Sequence, residues 1–190
     1  MKYNTSTLIS NLEQKVEQQI SFAIKILQNL PNDMLIRQPA SGGWSIAEIL
    51  SHLNTYGDYY LPLIKPAIES SSVSRQEIYK SGFLGDYFIK MISPVTGTKK
   101  IKAAKRHFPI TTQNPEQIVS EFIRQQELLL QYLFKTRDIN LAESRIPISI
   151  AKIIRLQLGD VLLFVINHID RHLLQINRLL DNQEEYELNQ

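Results

Sequence analysis

Apolar positions recur at a helical period along four stretches of the chain. Between Thr7 and Leu30 they fall at Leu8, Leu12, Val16, Ile20, Ala23, Leu27 and Leu30, with Gln, Glu and Lys between them. This predicts an amphipathic helix over 7–30, ended by Pro31-Asn32-Asp33. A loop through Arg37–Gly43 leads to a second helix over 45–66. Its start is well marked: Ser45 and Glu48 have the S-x-x-E spacing of a capping box, and Trp44 and Ile49 that of a hydrophobic staple. Ile49, Leu50, Leu53, Tyr56 and Tyr60 continue it, and Pro62 and Pro66 kink or end it. Asn114, Pro115 and Gln117 suit the N-cap, first and third positions of a third helix over 115–137, carried by Ile118, Phe122, Leu129 and Leu133. A last helix over 160–181, with Asp160 as N-cap, bears Val161, Phe164, Val165, Ile176 and Leu179 on one face.

The connections are less regular. From Ile68 to Asn114 the chain contains Ser70-Ser71-Ser72, Pro94 and Pro109 and supports one short helix at Gly85–Ile92, so the segment reads as a crossover or a lid. Ile139–Leu158 alternates short apolar runs with polar residues around Pro147, which predicts irregular chain with a short helix near Ile150–Leu156. Together these elements predict an all-α fold, a four-helix bundle in one domain over 1–190, with a long crossover between helices 2 and 3. The last helix also carries Leu162, Leu163, Ile166, Leu173 and Leu174, more apolar surface than one core-facing stripe requires. That surplus predicts a homodimer, or else cover by the Ile139–Leu158 segment.

Composition narrows the function classes. The chain has 190 residues, is 43% hydrophobic and carries a net charge of only +2, which suits one core and excludes a polybasic nucleic-acid binder. It has no cysteine, so metal ligation would fall to His, Asp and Glu, and any thiol in the chemistry must come from outside. The N-terminus turns polar too early for a signal peptide and no apolar run approaches a bilayer span, so a cytoplasmic protein without membrane contact is expected.

The chemistry gathers on histidine, of which the chain has four. His168 and His172 lie at i, i+4 and turn only about 40° apart on a helix, so both face the core stripe. His52 lies on the second helix, on the side of Ser45, Glu48, Ile49, Tyr56 and Tyr59. An unsatisfied buried polar group costs about 1–3 kcal/mol. The three rings therefore require a mutual or water-filled hydrogen-bond network, a solvated cleft, or a divalent metal.

At this point the sequence resembles a known family. GGWSIAEILSHL, with the pattern W-S-x-x-E-x-x-x-H-L, and the downstream NHIDRHLLQINRLL, with H-x-x-x-H-x-x-Q-I, are similar to motifs of the DinB/YfiT-like superfamily, and the resemblance runs from the first helix to Leu180. It implies a four-helix bundle with a three-histidine metal site, whose ligands here are His52, His168 and His172. Members include thiol-dependent transferases and isomerases, beside many with no assigned activity. The implied cofactor is a divalent ion, zinc or nickel, activating a water or a low-molecular-weight thiol co-substrate for transfer or hydrolysis of a small-molecule substrate. The alternative is a non-catalytic metal- or small-molecule-binding bundle.

Further candidates are weaker. Glu48 is claimed by its capping box, Tyr56 and Tyr59 fit core packing, and Gln175, one step along the histidine stripe, could bond a ligand. Asn167 and Asp170 lie off that stripe and read as solvated. The basic run Lys99–Arg106 is either a solvated loop or a lid over an anionic substrate. Without interleaved aromatic residues it argues against nucleic acid, and a dimeric interaction module built on it ranks last. His107 beside it reads as exposed and not as a fourth ligand.

Overall fold

Asn4 accepts a hydrogen bond from the Thr7 backbone N–H and so starts the first long helix, α1 (Thr5–Lys25). The computed structural model describes residues 1–93, 103–110 and 114–188. Before α1 runs a short strand, β1 (Lys2–Asn4). After it come a 3₁₀ turn, Leu27–Asn29, and a short helix, α2 (Asn32–Ile36). The first expected helix thus ends five residues early, and only a 3₁₀ turn continues its apolar stripe. The second helix, α3 (Ile46–Glu69), begins with the complete Ser45–Glu48 capping box. It runs through Pro62 and Pro66 and does not end at them. Each proline deprives the carbonyl four residues back of its partner. Asp58, Pro62 and Pro66 are all exposed, so the freed carbonyls lie on the solvent side.

Strand β2 (Ile78–Lys80) pairs antiparallel with β1, Tyr3 opposite Tyr79, and leads into α4 (Phe83–Ile92). The third long helix, α5 (Pro115–Lys135), has the expected Asn114 cap and Pro115 start. The segment expected to hold a short helix near Ile150–Leu156 is instead a β-hairpin, β3 (Arg145–Ile148) and β4 (Ala151–Gln157). Its β-branched Ile146, Ile148, Ile153 and Ile154 favour a pleated surface. Ile146, Ile148 and Leu156 turn inward while Ile153 is 93% exposed. The last helix, α6 (Leu158–Leu188), starts before the expected cap. Asp160 lies inside its first turn, buried, and accepts from Tyr79 Oη (2.7 Å), Ser81 Oγ (2.5 Å) and the Gly82 N–H (3.1 Å). This ties the start of α6 to the β2–α4 link, with a carboxylate where the helix dipole favours one.

The structure is mostly helical. Helix α3 packs on α5, α5 on α1, α1 on α6 and α6 on α3, around one cluster that includes Val16, Leu50, Phe122, Leu133 and Leu162. Polar contacts bind the helices in pairs. Arg137 makes a two-pronged ion pair with buried Glu13 (2.7 and 2.9 Å). Asn167 and Asp170, expected in solvent, accept from Lys15 Nζ at 2.8 and 2.6 Å, and Gln19 also donates to Asp170 at 2.6 Å. The apolar surplus of the last helix is covered from within the chain. Helix α4 packs along α6 and both hairpin strands touch it. Leu162, Leu163, Ile166 and Leu173 are buried, and only Leu174 is exposed. The observation that motivated a homodimer is thereby removed. Among the described residues no helix is long and apolar enough to cross a membrane.

Candidate metal centre

His52 on α3 and His168 and His172 on α6 meet in the core. One ring nitrogen from each lies within 4.8 Å of the other two. The ring centroids are 5.3 Å (His52–His168), 5.0 Å (His52–His172) and 4.7 Å (His168–His172) apart. The i, i+4 spacing places the α6 pair with their Nε2 atoms 3.1 Å apart. Two ligands of one tetrahedral zinc, each at about 2.1 Å, stand roughly 3.4 Å apart.

Hydrogen bonds fix two of the three tautomers. His52 Nδ1 is 2.6 Å from the His107 carbonyl oxygen, and His172 Nδ1 is 3.1 Å from the Gln175 amide oxygen. Both oxygens only accept, so each Nδ1 carries its proton and each Nε2 is left with a lone pair. The third ring, His168, has a buried Nδ1 without a partner. At most one N–H, on His168, can therefore serve the two lone pairs of its neighbours, and the rings do not satisfy one another. Two lone pairs set by acceptor oxygens behind their rings, with the His168 ring meeting them in the same region, are a donor set that fits a divalent ion.

Electrostatics agree with neutral rings. Burial lowers the His52 pKa, partly offset by the bond to the His107 carbonyl. Burial and then His172 push His168 well below the ordinary value. Burial and then His52 bring His172 to about 4. Neutral imidazole is the form a metal requires.

His107, expected to be exposed, is buried in a 3₁₀ turn (Lys105–His107). Its ring stacks on Tyr56 with centroids 3.8 Å apart, and its Nδ1 is 2.8 Å from Thr55 Oγ1. Burial, then His52, bring its pKa to about 4. It stands behind the triad, its carbonyl orienting His52. Arg106 donates to the Ser149 carbonyl (2.6 Å) and lies over the Tyr59 ring, so it clasps the hairpin. The part of the basic run at residues 99–102 lies outside the described residues.

Among the weaker candidates, Tyr56 and Gln175 reach the site and Glu48 and Tyr59 do not. The Tyr56 ring centroid lies 4.4 Å from that of His168, and burial raises its pKa to about 12. Glu48 accepts from the Ser45 N–H (2.8 Å) and Gln38 Nε2 (2.7 Å), as a capping-box carboxylate should. Tyr59 donates to the Pro147 and Ile148 carbonyls. Trp44 lies against His52, its centroid 4.8 Å away, beyond its expected staple role. A cavity of about 260 Å³ opens beside the triad, walled by α3, α4, the hairpin and α6. Sequence reasoning missed Thr55, His107 and the hairpin wall. Only Thr55, one turn from His52, carried a positional signal.

The family model of the DinB superfamily matches residues 16–176, a span that takes in all three histidines. No curated protein and no solved structure matches the chain.

Proposed function

The chain belongs to the DinB superfamily, and we propose that it is a metal-dependent enzyme in which His52, His168 and His172 hold one divalent ion, zinc or nickel. The observation that carries this reading is the pair of bonds behind the rings, His52 to the His107 carbonyl and His172 to Gln175. They orient Nε2 lone pairs toward the shared gap, as protein groups behind metal-bound histidines do. A bound divalent ion supplies a Lewis acid that makes a water or a low-molecular-weight thiol nucleophilic near neutral pH. The chain has no cysteine, so that thiol would be a co-substrate for transfer, and water would serve hydrolysis. Tyr56 keeps its phenolic proton at neutral pH and can donate it to a molecule in the cavity, while the aromatic wall limits access of bulk water. We read the scaffold as one four-helix-bundle domain (α1, α3, α5, α6), with residues 70–114 as the crossover.

A non-catalytic metal- or small-molecule-binding protein is the second reading. What favours it is the lack of a carboxylate among the described residues of the cavity wall, since Glu48 is held in its cap. Elemental analysis of untagged protein tests the first step of both. One divalent ion per chain, absent from His168→Ala, supports the metal site; a metal content unchanged by that substitution refutes it. Turnover of a thiol or ester substrate that depends on the ion would then favour the enzyme.

A further inference from the structure

The cavity beside the histidines has two unlike ends. Its polar end is His52, His168 and His172. The remaining wall is mostly apolar, with Phe88 and Ile92 from α4, Ile148 and Leu156 from the hairpin, and Phe164 from α6. Among the described wall residues Arg171 alone carries a charge. Rings line the passage from one end to the other: Phe164 lies nearly parallel to His168 (10° between planes, centroids 5.8 Å apart), and Phe88 meets Phe164 edge-on at 6.5 Å. Aromatic faces and edges of this kind favour a ring packed against them.

Size sets a second limit. An engineered apolar cavity of roughly 150 Å³ takes up benzene. The cavity here, about 260 Å³, therefore holds about ten non-hydrogen atoms, one ring with a short branched chain or a fused pair of rings. We propose that its occupant is a mainly apolar, ring-bearing molecule of that size, whose single polar group faces His52, His168 and His172. A polyhydroxylated molecule of equal size would strand hydroxyls against the apolar wall, each weakening binding by about tenfold. This inference rests on the reading of the three histidines as the reacting end of the site, but the apolar body of the ligand is recognised by the walls alone.

Trp44 is the chain's only tryptophan and lies on the cavity wall, so its emission reports occupancy. Titration of 4-tert-butylphenol into metal-free protein should give a saturable change in Trp44 emission, and D-xylose should give none. Ala104→Leu narrows the cavity and should weaken phenol binding at least tenfold. Met91→Glu, at a partly exposed wall position, should do the same if the first variant fails to fold by circular dichroism. No saturable response to the phenol, an equal response in wild type and the folded variant, or comparable binding of D-xylose would overturn the proposal. The titration needs no metal. Failure of metal uptake with phenol binding intact would strike the metal reading alone, and metal uptake without phenol binding would strike this inference alone.

Discussion

Replacing Gly57 with alanine tests the close approach of α3 and α5 beside the site. An alanine Cβ at this position of α3 would lie 1.7 Å from Gln125 Oε1 and 2.4 Å from its Cδ. Gln125, buried on α5, must then swing away. Its Nε2 group would leave the Asn54 carbonyl (3.2 Å), Asp58 Oδ1 (2.9 Å) and Glu121 Oε1 (2.9 Å). Hydrogen bonds to charged groups contribute about 1.5–3 kcal/mol each. Asp58 is exposed and Glu121 keeps Arg124 (2.7 Å), so water and Arg124 recover part of the loss, leaving about 2–3 kcal/mol. Alanine returns about 1 kcal/mol of helix propensity. The net expectation is a destabilisation of about 1–2 kcal/mol, read as a lower urea midpoint at unchanged slope. In a Gln125→Ala background the clash is gone, so Gly57→Ala should there be neutral or stabilising, a coupling of about 1–3 kcal/mol. A single variant more stable than wild type by the propensity increment would refute the close approach of α3 and α5.

Three further outcomes follow from the same contacts. Gln175→Leu removes the oxygen that orients His172 and should weaken zinc affinity about 10–100-fold in a competition titration, with the protein still folded. Phe122→Ala empties a fully buried position and should cost about 3–5 kcal/mol in urea unfolding. Glu143 accepts from Ser71 and Ser72 hydroxyls and from the Ser72 and Val73 N–H groups, and the Ser71 bond leads in holding its pKa below the ordinary value. A depressed folded pKa means the stabilisation is present above the unfolded value and lost as pH falls through the folded one. The Ser72 and Val73 amide shifts should therefore titrate with a midpoint below about 4.3, the usual glutamate value; a midpoint at or above it would contradict the contact.

What could be read from the chain was what is local. The caps at Ser45 and Asn114 and the periodic stripe from Leu8 to Ala23 specify helices without outside help, and the i, i+4 pair places His168 and His172 on one face. What escaped depended on partners distant in sequence. Lys15 and Gln19 draw Asn167 and Asp170 out of solvent, and Tyr79 and Ser81 hold Asp160 inside the first turn of α6. His107 is buried by Thr55 and Tyr56, which no periodicity in its own loop could announce. Arg145–Gln157 mixes apolar and polar residues without a clean period, and its hairpin becomes defined by the cavity and α6 on its inner side. Cover of α6 by α4 required knowing where a correctly expected short helix docks.

X-ray absorption at the zinc edge on zinc-loaded protein counts the imidazoles bound to the ion. Ligation by His52, His168 and His172 predicts a first shell at about 2.0–2.1 Å with outer-shell scattering from three imidazoles, and loss of tight zinc binding in His168→Ala. Scattering from fewer than three imidazoles, or a spectrum unchanged by the His168 substitution, would contradict it.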